Sequence, residues 1–267
     1  MYSFEFQRPN SAEEASRAFE SAEDPSYLAG GMTLIPTLKQ RLANPSELID
    51  LDKVNSLRGI SVDKKAVIIG AMTKHAEVAN HAEIKREIPA LAYLASLIGD
   101  PQVRNRGTLG GSIANNDPAS DYPGALLGLN ATIHTLDRKI LADDFFTGMF
   151  ETALKDGELI SKVSFPIPKK AAYRKFPNPA SRYSVAGAFV SETVDGIRVA
   201  ITGAGPTVFR IKEVEDSLNL SFLASAISNF TMPADDLNSD LHASSEYRAH
   251  LVKIMIQRAV KDCEAIA

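Results

Sequence analysis

One cysteine, Cys263, stands in 267 residues, and tryptophan is absent. A single thiol makes no internal disulfide, and it supplies neither the ligands of an iron–sulfur cluster nor a cysteine-rich zinc site. The 5 histidines are scattered apart from His75 and His81, and no metal-ligand spacing joins them. His75 and His81 share no helix face and read as surface residues. No apolar run approaches the ~20 residues of a membrane span. The opening MYSFEFQRP lacks the basic-then-apolar order of a secretory signal. Positive charge is not in excess either. Lys plus Arg number 29 against 33 Asp plus Glu, a formal net charge of −4, which argues against a nucleic-acid partner. These absences predict a soluble, cytoplasmic chain without metal chemistry of its own. The length predicts one or two domains.

Glycine and proline punctuate what is there. Tyr2 to Gln7 alternates and reads as a strand. Ser11-Ala12-Glu13-Glu14 is a capping box opening a helix through Phe19. Ser26 to Ala29 reads as a short strand, Thr33 to Leu42 as a helix with Pro36 in its first turn, and Leu48 to Leu51 as a strand. The start of the chain is thus a β-α-β-α-β unit. Ala66 to Gly70 is a further strand, and Lys74 to Ile98 has helical spacing, with Leu91, Leu94, Ala95 and Ile98 on one face. Gly99 to Asp121 reads as a long loop, a length usually reserved for function. Tyr122 to Leu129 reads as a short helix, Ala131 to Leu136 and Leu159 to Phe165 as strands. Pro166 to Pro179, with four prolines, reads as a row of turns and a domain boundary. Beyond it, Ser184 to Val194 and Ile197 to Gly203 flank Asp195-Gly196, a hairpin signal. Ser221 to Asn229 and Glu246 to Ala265 read as helices covering that sheet.

Two glycine pairs carry the chemistry. The first lies in Ala29-Gly30-Gly31-Met32-Thr33-Leu34-Ile35-Pro36, where a strand runs into a helix. The second lies in Thr108-Leu109-Gly110-Gly111-Ser112, followed by Asp117-Pro118-Ala119-Ser120-Asp121. Glycine lets backbone approach an anion, and free N–H groups before a helix attract one. Two such nests can share a pyrophosphate, with Asp121 accepting from a ribose hydroxyl. Each pair alone is more often a plain turn. Neither fits the phosphate-loop motif or the Rossmann fingerprint. Gly203-Ala204-Gly205 runs into Pro206 and reads as a turn. Asp117 reads as a cap for the segment that Pro118 opens.

The two spaced motifs together resemble the FAD-binding medium subunits of molybdenum hydroxylases, the family of aerobic carbon monoxide dehydrogenase and bacterial xanthine dehydrogenase. Glu158-Leu159-Ile160-Ser161-Lys162-Val163-Ser164-Phe165-Pro166-Ile167-Pro168 is similar to the segment closing the family's flavin domain. Tyr173-Arg174-Lys175-Phe176 resembles the start of its C-terminal domain. The resemblance implies an α+β chain with the vanillyl-alcohol-oxidase-type FAD fold. Its two subdomains, about 1–52 and 53–170, would hold FAD between them, and an antiparallel-sheet-plus-helix domain would follow over 171–267.

By the same resemblance, Leu28, Ala29, Gly30, Gly31, Met32, Thr33 and Leu34 line the pyrophosphate. Thr108, Gly110, Gly111 and Ser112 hold its other side, and Asp121 lies near the ribose of the adenosine half. Ile98, with Gly99 beside it, and Ile160 cover the isoalloxazine ring, and Lys175 approaches the flavin's polar edge. No catalytic residue and no metal ligand is expected. The implied role is electron relay, from [2Fe–2S] clusters in a small subunit to an acceptor such as NAD, a quinone or oxygen. The molybdenum cofactor belongs to a large subunit, and the assembly is a dimer of heterotrimers. Two other readings stand beside this one: a stand-alone flavoprotein oxidoreductase of the same fold, and an assembly subunit without flavin.

Overall fold

A computed structural model describes residues 1–266. The chain opens as β1 (Glu5–Gln7), α1 (Ala12–Ser21), β2 (Pro25–Leu28), α2 (Leu34–Lys39) and β3 (Glu47–Asp50). Ser11 caps α1, accepting the Glu14 N–H at 3.1 Å, while the Glu14 carboxylate takes the Asn10 N–H at 2.8 Å. The three strands form one parallel sheet in the order β1-β3-β2, each crossover made by a helix, as parallel neighbours require. The β-α-β-α-β unit is as the sequence implies, though Tyr2 to Phe4 lie outside the first strand.

A five-stranded antiparallel sheet follows, in the order β4-β5-β10-β6-β7. It contains β4 (Ile60–Val62), β5 (Ala66–Gly70), β6 (Thr132–Thr135), β7 (Lys139–Leu141) and, beyond a small hairpin, β10 (Ile160–Pro166). Helices α3 (His75–Asn80), α4 (Ala82–Glu87), α5 (Pro89–Ser96), α6 (Pro101–Arg104), α7 (Leu109–Asn115), α8 (Tyr122–Gly128) and α9 (Ala142–Phe145) pack with it, and β8 (Phe146–Gly148) and β9 (Glu151–Thr152) form the hairpin. Two expectations are corrected here. The helical run from Lys74 to Ile98 is three helices. His81 is extended between the first two, and Ile88 is pushed out of helical geometry by the Pro89 that follows it. The stretch from Gly99 to Asp121 is not one loop. Its polar residues are caps: Asp100 accepts the Val103 N–H at 2.8 Å, Thr108 accepts the Gly111 N–H at 3.2 Å, and Asn116 closes α7 in the left-handed region at φ 42°.

The C-terminal sheet has the order β11-β12-β13-β14, formed by β11 (Lys170–Pro177), β12 (Ser184–Thr193), β13 (Gly196–Thr202) and β14 (Phe209–Arg210). The turns expected over Pro166 to Pro179 are mostly strand β11. Its prolines stand before, at and just after the ends of that strand, where no ladder bond is lost. The hairpin loop is Val194–Asp195, one residue earlier than expected, because Thr193 pairs with Gly196, whose φ is +114°. β12 is buried on both faces. Ala186, Ala188 and Val190 join the core under α11 (Ser245–Glu264), whereas Phe189 joins the core under α8. α10 (Lys212–Leu220) lies on β13, and the helix expected over Ser221 to Asn229 is only a short 3-10 turn, Ala224–Ile227.

Candidate functional site

A cleft of about 720 Å³ opens between these units. The first glycine loop forms one wall and the second the other. Leu154 to Ile160 and Ser181 to Tyr183 close the sides, and Ala71, Met72, His75, Ile98 and Gly99 also line it. Of the residues expected to bind, Leu28 and Lys175 do not line the cleft; the others all do.

The first loop is open to an anion. Its amides at Gly30, Gly31, Met32 and Thr33 donate to no acceptor among the described residues. Backbone N–H groups at a cleft wall do not stay unbonded without water or a ligand. Gly31 holds φ +74°, the turn that feeds α2. Leu28 sits behind this wall; a Cβ on Gly31 would stand 3.2 Å from its side chain.

The second loop corrects the picture of two equal nests. The Leu109 amide donates to Thr73 at 3.0 Å, Gly110 to Ala71 at 2.8 Å, and Gly111 to the Thr108 hydroxyl at 3.2 Å. These amides are engaged inside the protein. The glycines serve close packing instead. A Cβ on Gly110 would stand 2.6 Å from that of Ala71, and one on Gly111 would stand 2.9 Å from Thr108 Oγ1 and 3.3 Å from the Ala29 Cβ. Gly30 is tighter still, with a Cβ only 2.3 Å from the Arg106 carbonyl oxygen. Missing side chains therefore let the two loops close on each other. Of the second loop, Thr108, Gly110, Gly111 and Ser112 line the cleft.

Ile98 and Ile160 both reach the cleft, one half-buried and one buried. Gly99 turns at φ +48°, and Arg104 fixes that turn by donating to the Ile98 and Gly99 carbonyls, both at 2.9 Å. Sequence reasoning missed Arg104, because its role is set by the bend rather than by any motif.

Asp121 lines the cleft and is paired there with Lys175, whose own side chain stays out of it. The Lys175 ammonium lies 2.9 Å from Asp121, and it also donates to the carbonyls of Leu97 at 3.1 Å and Arg182 at 2.8 Å. The Tyr173 hydroxyl donates to Asp121 at 2.5 Å. Burial raises the Asp121 carboxyl, and Lys175 and Tyr173 oppose that rise. Lys175 does not itself line the cleft, but two of the residues that accept from its ammonium, Asp121 and Arg182, do. Asp117 is the expected cap, accepting the Ala119 N–H at 2.9 Å. Cys263 is buried, and burial pushes its thiol up to about 12.

His75 overturns its surface reading. It is 4% exposed and lines the cleft. Burial, with the Arg104 charge beside it, holds its imidazole down at about 4, so it is neutral at pH 7. His81 is only partly exposed.

Residues 2–168 match the family model described as the FAD binding domain in molybdopterin dehydrogenase. Residues 171–263 match the CO dehydrogenase flavoprotein C-terminal domain. The chain belongs to the FAD-binding medium subunits of the molybdenum hydroxylase family. It is similar to the glyceraldehyde dehydrogenase medium chain of Sulfolobus acidocaldarius, 34% identical over 97% of this chain and 98% of that one. The nicotine 6-hydroxylase medium subunit of Paenarthrobacter nicotinovorans is 36% identical over 96% of each. Among solved structures, carbon monoxide dehydrogenase from Hydrogenophaga pseudoflava, in a form lacking the Mo-pyranopterin moiety, matches with a TM-score of 0.89. That match has 32% identity and covers 99% of this chain and 98% of that one. This medium subunit is thus part of an oxidoreductase, an α+β FAD-binding domain followed by a C-terminal flavoprotein domain. FAD is its cofactor, and the unbonded amides of the first loop suit a pyrophosphate. No helix among the described residues is long and apolar enough to cross a membrane.

Proposed function

We propose that this medium subunit relays electrons from [2Fe–2S] clusters of a small subunit to an external acceptor, while a molybdenum-cofactor large subunit works on the substrate. Bound FAD supplies the redox chemistry, taking electrons from one-electron donors and releasing them in pairs. The observation that carries this reading is the cleft wall from Gly30 to Thr33, whose four amides have no partner within the described protein. In the reading, that loop holds the pyrophosphate, Ser112 and the second loop face it, and Ile98 and Ile160 cover the flavin ring. Asp121, on the cleft lining near the ribose, is held in place by Lys175. The boundary between the two domains falls at 170/171.

In this reading the clusters lie in the small subunit, and the donor set of this chain supports that. The single cysteine is buried and holds its proton, and among the described residues no three His, Cys, Asp or Glu gather as a metal site. Substrate choice also lies elsewhere in this reading. Relatives named for glyceraldehyde, nicotine and carbon monoxide are similar to this chain at 34%, 36% and 32% identity. Three such different molecules share one kind of flavin subunit if each is met in another subunit.

The test is the assembled complex carrying Gly111→Val. A valine there meets Thr108 Oγ1 and the Ala29 side chain, so it pushes the two loops apart. The variant complex is expected to lack flavin, to keep substrate-dependent cluster reduction by electron paramagnetic resonance, and to lose acceptor reduction along with the flavin. Undiminished acceptor reduction by a flavin-free complex defeats the relay. Turnover of an organic substrate by the isolated chain supports the stand-alone reading instead.

A further inference from the structure

Beneath the cleft, two buried side chains carry polar atoms that the protein leaves unbonded. His75 Nδ1 and the Tyr122 hydroxyl are both buried without a hydrogen-bond partner. Their residues are 4% and 0% exposed, and their rings pack against each other with centroids 5.4 Å apart. Neither is a surface group free to turn to solvent. Buried polar atoms in native proteins find a partner, and where protein supplies none an ordered water does. Two such atoms on adjacent rings, tilted 52° to each other, offer that water two of the 2–4 contacts it needs.

The position gives the pair a consequence for the cofactor. His75 opens α3, and its own amide donates to the Gly107 carbonyl at 3.0 Å. Its ring lies so close to the chain that a Cβ on Gly107 would stand 2.5 Å from Nε2. Gly107 immediately precedes Thr108, the residue that caps α7 and begins the second glycine wall. The ring's orientation therefore sets where that wall starts, and His75 itself lines the cleft. A neutral imidazole is suited to this: it bonds a water at one nitrogen without bringing charge under the cofactor.

We propose an internal water site shared by His75 Nδ1 and Tyr122 Oη, which fixes the imidazole against Gly107 and makes His75 a positioning residue for the bound cofactor. The second half rests on the reading that this cleft holds FAD; the first half does not.

The experiment is a double-mutant cycle on the full chain, with urea stability of the flavin-free protein and FAD affinity of the reconstituted protein measured for each variant. His75→Leu and Tyr122→Phe each strand the other polar atom, so each lowers stability. The double variant removes both atoms and is expected to be no worse than the poorer single variant. His75→Asn keeps a polar atom near the Nδ1 position and rescues. For FAD, His75→Leu weakens binding on the order of tenfold and alters the visible circular dichroism of the bound flavin, and His75→Asn restores both. A crystal structure showing one ordered water within hydrogen-bond distance of both atoms supports the site directly. Additive stability losses overturn the water site. Unchanged FAD affinity and unchanged dichroism in His75→Leu overturn the positioning role, and that result is distinct from failure of the Gly111→Val test of the cleft.

Discussion

Charging His75 inside the fold means placing a cation in a site with 4% exposure, with Arg104 nearby. The sign of the pH effect follows. In the unfolded chain the imidazole takes a proton near its ordinary 6.5, whereas the folded chain resists until about 4. Between those values the unfolded state binds more protons, so stability falls as pH drops, by up to about 1.4 kcal/mol per pH unit from this one group. Urea titrations between pH 7 and pH 4 should show a steeper fall in the native protein than in His75→Asn, where only the smaller share of groups such as His134 remains. Equal slopes in both proteins count against the assignment. Histidine count and spacing place His75 at the surface; its burial depends on Tyr122 and Gly107, far off in sequence. The glycines show the same limit. The motif locates Gly30 and Gly111 at a binding loop, and both line the cleft. That Gly30 faces the Arg106 carbonyl, and that the second loop's amides are engaged, are long-range facts no local pattern contains.

At the scale of elements, the legible parts were those decided locally. The capping box at Ser11, the opening β-α-β-α-β unit and the hairpin around Asp195 all rest on short-range rules, and all three form. The stretch from Gly99 to Asp121 reads as loop because Asp, Asn, Thr, Pro and Gly serve caps and loops alike. Asn116 is the clearest case. It ends α7 at φ 42° while its side-chain amide donates to the carbonyls of Gly148 at 2.8 Å and Glu151 at 2.7 Å. One residue thus terminates the helix behind the glycine wall and ties the β8–β9 hairpin to it. Asn116→Ala loses both bonds and places a Cβ-bearing residue in the left-handed region without asparagine's tolerance for it. A loss of about 2–3 kcal/mol is expected from the stranded carbonyls and the backbone strain together. Denaturant unfolding checks it. Asn116→Gly removes the strain but not the lost bonds, so it should recover only part of the loss. Full recovery means that the hairpin tie contributes nothing.

At the scale of the whole molecule, the C-terminal domain is built into the cleft. Lys175 on β11 reaches back to Asp121 at the start of α8, and Tyr173 on the same strand joins it. The two charged side chains are 3% and 4% exposed, so neither can turn to water if its partner is removed. Asp121 also lines the cleft, which makes this ion pair the joint through which the second domain supports the cleft wall. Lys175→Met leaves a buried carboxylate facing only the Tyr173 hydroxyl, a loss expected to be about 3–5 kcal/mol at pH 7. The carboxyl then escapes by holding its proton, so its folded value rises further above the unfolded one. A group raised in that sense stabilises below its unfolded value and loses that contribution as pH increases. The variant should therefore come closest to the native protein near pH 4 and fall away toward pH 7. Adding Asp121→Asn removes the stranded charge and keeps an acceptor for Tyr173. The double variant should return to within about 1–2 kcal/mol of the native protein. Its retained FAD would show that the pair supports the wall without touching the cofactor. If the double variant is as unstable as Lys175→Met at pH 7, the cost lies in the lost lysine contacts to Leu97 and Arg182 and not in the stranded charge. The joint between the domains is then a packing contact around those carbonyls, and pH should leave its strength unchanged.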